Sequence, residues 1–240
     1  MVIIRVLIWL SMCLLLWVVA VGISYQANRL AHFGYPLWYE LINIDGHIKR
    51  YAPLNKMKRK DFHLTDKSQH LLLFEQLNEA VHQQPEKLGD IQYTTNSGSK
   101  PWLTESEIIH LKDVHQLLRD CMVIWWLCLP LAMVLLWLYW QSRLQFPSVQ
   151  TRRAVAAVIL LAGVTGYWMV GFDDLYRLFH ESVFPPQHQW YFDYHQSLMT
   201  TLLKAPDLFA IWAAQIGGLA LIICIAALMA VQRRTKSKVR

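Results

Sequence analysis

Four long apolar stretches leave this chain few ways to fold. They run over residues 6–24, 122–140, 154–172 and 208–231. A bilayer core about 30 Å thick takes roughly 20 consecutive apolar residues to cross as a helix, because backbone polar groups must find partners within the segment. The expected architecture is therefore an all-α membrane protein: a single membrane domain over 1–240 with four transmembrane helices. A long loop joins the first helix to the second, and a shorter one joins the third to the fourth. Composition agrees, with 17% charged residues against about a quarter in soluble domains. The first stretch, with Arg5 ahead of it and Ala20 and Gly22 near its end, competes with a cleaved signal peptide. Its apolar run exceeds the roughly 7–15 residues of a signal-peptide core, so it is read as a retained helix.

Charge sets an expected orientation. Arg5, then Arg143, Arg152 and Arg153, then Arg233, Arg234, Lys236, Lys238 and Arg240 lie in segments without an acidic residue. The long loop instead holds twelve Lys/Arg and twelve Asp/Glu, and the short loop two and five. Positive residues in short flanking segments mark the cytoplasmic side. Residues 1–5, 141–153 and 232–240 are therefore expected in the cytoplasm, and 25–121 and 173–207 outside a bacterial cytoplasmic (inner) membrane, with both termini inside. The formal charge of +6 follows from this topology and gives no reason to invoke nucleic acid. Cys13, Cys128 and Cys224 fall within spans and Cys121 at the mouth of the second, so no disulfide framework is available to the loops.

The first loop is long enough to form a cap or subdomain. Phe33, Tyr35, Trp38 and Tyr39 suit a membrane interface. Lys56, Lys58, Arg59 and Lys60 read as a solvated face, with anionic lipid headgroups as the sharper alternative. From Asp66 to Gln84 an amphipathic helix is expected, with Leu73, Phe74, Leu77 and Val81 at helical spacing. A strand-like piece covers 90–95 and a turn 96–99. Thr104 and Glu107 fit a capping box, and the helix they start is expected to run straight into the second span. His110 and Asp113 are three residues apart on it and share a face. The second loop is expected to continue the third helix and to turn at Pro185-Pro186.

All ten histidines lie in the two loops, and histidine is the side chain best suited to proton transfer near neutral pH. Two stand out because they lie close to membrane helices in aromatic surroundings with carboxylates at helical reach: His110, with Glu107 and Asp113, and His180, with Asp174 and Glu181. Several familiar sites do not fit. His180-Glu181 begins like a zinc-protease motif, but Phe184 stands where the second histidine would be. The irregular spacing of His180, His188 and His195 argues against zinc. No histidine lies in a span to ligate haem, and no glycine-rich loop is present to cradle phosphate. No metal or cofactor is called for.

The run Thr104 to Val114, with Glu107-x-x-His110-x-x-Asp113-Val114, together with Phe172-Asp173, Phe179-His180, Phe184, Trp190 and Asp193 and the upstream Tyr51-Ala52-Pro53-Leu54-Asn55, resembles the motif set of the lipoprotein intramolecular transacylase (Lit) family, in the same order and topology. The resemblance covers nearly the whole chain. It implies a membrane acyltransferase acting on a diacylglyceryl-modified lipoprotein within the lipid bilayer, which moves an acyl chain to the amine of the N-terminal cysteine. It implies His110 and His180 as the catalytic pair, with Asp113, Asp193, Glu107 and Trp190 supporting. The chain departs from the family in a long first loop with a basic cluster and in Lys204 within an otherwise apolar run. Two other readings stand beside this one. A non-enzymatic assembly factor or lipid-binding scaffold would keep its histidines apart or bury them in structural hydrogen bonds. A transporter would place ionisable groups inside the spans, where Gln215 is the most polar candidate.

Overall fold

The computed structural model of the chain describes residues 2–239, with side chains at all of these except 172, 173 and 235–239. Asp173 in the second histidine element, and Lys236 and Lys238 among the flanking cations, therefore lie outside the described side chains, and Arg240 outside the described residues. In chain order the helices are α1 (Val2–Leu30), α2 (Tyr35–Leu41), α3 (Ile44–Tyr51), α4 (Lys67–Gln83), α5 (Glu105–Trp140), α6 (Val149–Val170), α7 (Phe172–Val183), α8 (Leu198–Leu203) and α9 (Asp207–Val239). Strands β1 (Gln92–Thr95) and β2 (Gly98–Pro101), between α4 and α5, pair as an antiparallel hairpin. Four of the helices, α1, α5, α6 and α9, are long and apolar enough to cross a membrane. At 1.5 Å per residue the 36 residues of α5 extend about 54 Å, well beyond the roughly 30 Å of a bilayer core.

The chain divides into two compact units. The first takes Met1–Ser24, Met122–Val183 and Gly217–Arg240. Here α1, α5 and α9 bury Leu16, Ala20, Ala220 and Cys224 in one cluster and Met12, Tyr139 and Val231 in another. Close approach of α1 and α5 depends on Gly22, since a Cβ there would fall 2.1 Å from Cδ1 of the Trp125 indole. The Trp125 Nε1–H donates to the Val19 carbonyl at 3.0 Å. Helix α6 buries none of its residues. Where the apolar run predicts a span through residue 172, α6 stops at Val170. Gly171 takes φ 80°, a conformation glycine adopts without steric penalty, and α7 begins afresh. Leu175, Leu178, Phe179 and Val183 are exposed on α7, while Asp174 pairs with Arg177 at 2.7 Å. This amphipathic pattern suits a helix lying in a membrane interface.

The second unit takes Tyr25–Cys121 and Phe184–Ile216. The long loop therefore does not fold alone, because the second loop and the first turns of α9 complete its core. All six residues of α8 are buried, and Leu208 and Trp212 join Phe33, Tyr35, Ile44, Phe74 and Trp102. Tyr35 stacks on Phe74 with ring centroids 4.0 Å apart, and its hydroxyl donates to the Leu202 carbonyl. Asp66 caps α4 through the Gln69 amide. The hairpin is tied down at Asp61, whose carboxylate accepts from Lys100, Ser97, Thr95 and Tyr93. Burial alone would raise the Asp61 pKa, but these hydrogen bonds outweigh it and hold the carboxyl well below the usual range. Lys204 donates its ammonium to the Ile42 carbonyl at 2.7 Å, which explains a cation in an apolar run. Gln215 is likewise satisfied, by Trp38 and Asn28.

The basic cluster differs from a uniformly solvated face. Arg59 is buried, and its guanidinium donates to the carbonyls of Trp102 at 2.6 Å and Gln196 at 3.0 Å. Lys56, Lys58 and Lys60 remain exposed around it. The planar fork of arginine, with five fixed donors, suits such bridging between backbone segments.

Candidate active site

The capping box fixes where α5 begins. The Glu107 carboxylate accepts from the Thr104 amide at 2.6 Å and from the Thr104 hydroxyl at 2.7 Å, while the Thr104 hydroxyl in turn accepts from the Glu107 amide at 3.3 Å. The second carboxylate oxygen accepts from the Ser197 hydroxyl. Ser197 also caps α8 through the Thr200 amide. Glu107 is fully buried and faces Arg59, whose guanidinium it stabilises against the effect of burial. A buried carboxylate held by a cap, a hydroxyl and a nearby cation is a framework element.

Three residues further along, His110 is half-buried. Its ring meets the edge of Phe184 at 4.8 Å between centroids and lies 5.7 Å from Phe192. One turn beyond, the Asp113 carboxylate accepts from Nδ1 of His188 at 2.6 Å. A carboxylate here can only accept, so the His188 proton sits on Nδ1. Asp193 accepts from both the backbone amide and Nδ1 of His195, at 2.8 and 2.7 Å. These bonds hold its carboxyl below the usual range. Trp190 is half-buried with Tyr191 at its edge. His110, Asp113, Glu107, Trp190 and Asp193 thus all belong to the second unit. His180 belongs to the first, on α7. It donates Nδ1–H to the Tyr176 carbonyl at 2.7 Å, and its ring packs 4.0 Å from that of Tyr176 and 5.2 Å from that of Phe179. That bond makes Nε2 the lone-pair nitrogen of the neutral ring, the form that accepts a proton.

Other histidines are structural. Both His70 nitrogens are engaged, by the Tyr39 and Thr65 hydroxyls at 2.7 and 2.6 Å, and burial lowers its pKa to about 4. His47 packs between the rings of Tyr51 and Tyr194. Burial, aided by the charge of Lys204, lowers its pKa to about 4. His82 bridges the Tyr25 hydroxyl and the Asn78 carbonyl. Among the described residues no three of His, Cys, Asp and Glu converge as metal ligands. Sequence reasoning missed His188, Ser197 and the burial of Arg59. Each is defined by a partner 75 to 137 residues away, and no local pattern carries that.

The four spans and the histidine-bearing polar unit define a multi-pass integral membrane protein with its ionisable chemistry outside the apolar stretches. The family model described as lipoprotein intramolecular transacylase Lit matches residues 8–206. The chain belongs to the Lit family and is thereby a membrane enzyme of the acyltransferase class. Its fold is similar to the in meso structure of the membrane integral lipoprotein intramolecular transacylase Lit from Bacillus cereus, solved as a histidine-to-arginine variant. The two are 14% identical, with a TM-score of 0.65 over 98% of this chain and 93% of that one. No curated protein matches the chain.

Proposed function

We propose that this protein moves an acyl chain from the diacylglyceryl group of a lipoprotein to the α-amine of that lipoprotein's N-terminal cysteine, with His110 and His180 as its acid and base. The observation that carries this reading is the setting of His110: a half-buried imidazole between two phenylalanines, on a helix that continues into a membrane span, in a member of the Lit family. Donor ester and acceptor amine belong to one substrate molecule, so binding it in a folded pose supplies much of the rate through proximity. No enzyme nucleophile is then required.

One imidazole takes a proton from the cysteine ammonium, and the freed amine attacks the ester carbonyl. The N–C bond forms, the attacking nitrogen gives up its remaining extra proton to the second imidazole, the glycerol C–O bond breaks, and the leaving oxygen takes a proton from an imidazolium. An imidazolium beside the carbonyl also stabilises the tetrahedral oxyanion. In the proposed topology the two loops and α7 lie on the outer side of the membrane, so the acyl chains stay in lipid while the peptide extends outward. Mass spectrometry of lipoprotein N-terminal peptides, from cells expressing wild type, His110→Ala or His180→Ala, tests the proposal. Wild type is expected to give the N-acylated cysteine. Each variant should lose about 10²-fold or more of it while accumulating normally in the membrane. An unchanged lipoprotein under wild-type expression would overturn the substrate assignment.

A further inference from the structure

Residues 184–192, between α7 and α8, form no helix or strand. Yet this segment supplies both rings that pack on His110, one from each end: Phe184 and Phe192. Within it the His188 amide closes a turn on the Pro185 carbonyl at 3.0 Å. The side chain of that same His188 reaches back to Asp113 on α5, Nδ1 to Oδ2 at 2.6 Å, with both side chains largely shielded from solvent. Asp113 lies one helical turn from His110 on the same face. The segment therefore meets α5 at three described points: two ring contacts on His110 and, midway between them in sequence, one charge-assisted hydrogen bond.

Ring packing is tolerant of sliding, whereas a short bond from a donor to a carboxylate fixes a register. We propose that His188 is a positioning residue. By donating Nδ1–H to Asp113 it pins the segment so that Phe184 and Phe192 clamp the His110 imidazole in one orientation and shield it from water. Asp113 then acts on His110 through this clasp. Proline at 185 and 186 suits the arrangement, since a stiffened chain loses less entropy when pinned at its middle. For its effect on turnover the inference rests on the transacylase reading. The clasp itself does not.

Two variants separate the bond from the bulk. His188→Phe keeps a ring and removes the donor; His188→Asn keeps a donor near the Nδ1 position and removes the ring. In full-length protein reconstituted in lipid nanodiscs, the rate of His110 modification by diethyl pyrocarbonate is read by mass spectrometry, and acyl transfer is followed on the same samples. His188→Phe is expected to raise the His110 rate several-fold and to lower kcat on the order of tenfold with little change in KM. His188→Asn should restore most of both, and Asp113→Ala should reproduce His188→Phe. Equal His110 rates in wild type and His188→Phe, or a better rescue by Phe than by Asn, would overturn the clasp. If the Phe variant unmasks His110 while wild type transfers no acyl chain, the clasp stands and the transacylase reading fails.

Discussion

His70 shows how a histidine in this chain serves structure. The Thr65 hydroxyl donates to the Phe62 carbonyl, so it accepts from His70 Nε2–H, and Nδ1 must accept from the Tyr39 hydroxyl. That pattern requires the neutral ring. With the pKa lowered from 6.5 to about 4, the unfolded chain binds a proton in that window and the folded chain does not. Stability is therefore full above pH 6.5 and is lost as pH falls toward 4, by on the order of 3 kcal/mol at most. Thermal unfolding in detergent from pH 7.5 to 4.5 should show this fall. His70→Gln should start lower and fall less, with the residual slope owed in part to His47. The difference between His70 and His110 was partly legible. His70 lies on the stripe of Leu73, Phe74 and Leu77, an apolar helix face, whereas His110 shares its face with Asp113. The partners of Asp113 and Glu107 were not legible, because the chain that supplies His188 and Ser197 shows no periodicity there.

At the scale of elements, α4 and α5 were readable because their signals are local: a capping residue, then apolar spacing. The break that makes α7 a separate helix, and strand β2, were not. Gly171 hid in an apolar run, and Gly98-Ser99-Lys100-Pro101 has no strand pattern and owes its shape to β1 and to the Asp61 anchor. Glycines divide in a way that spacing alone does not reveal. At Gly22 an added Cβ meets the base of the Trp125 ring, while at Gly163 and Gly166 on α6 it meets nothing within 4 Å. Gly22→Ala should separate α1 from α5, break the Trp125–Val19 bond and cost about 1–3 kcal/mol as an overpacked contact. Gly163→Ala and Gly166→Ala should be neutral or slightly stabilising through helix propensity. Thermal midpoints and Trp125 fluorescence in detergent-solubilised protein distinguish the two cases.

For the whole molecule, four spans followed from length and hydropathy alone, and the family match and the related fold agree with them. The pairing of the two loops into one unit did not follow, since nothing in residues 25–121 announces that α8 and the start of α9 finish their core. The proposed orientation is open to direct test. In a cysteine-free background, Ser99→Cys should react with a membrane-impermeant maleimide in intact spheroplasts. Ser142→Cys, between α5 and α6, should react only after the membrane is opened. The reverse pattern would invert the topology.

The interleaving of the two units also has a meaning for biogenesis. Tyr35 finds its acceptor on Leu202, 167 residues later in the chain, and Arg59 finds one on Gln196, 137 residues later. During synthesis the first polar segment must therefore wait, its aromatic core open, while three of the four apolar stretches enter the bilayer. It closes only when α8 emerges, so ribosome and translocon set the earliest moment at which the second unit can complete its core.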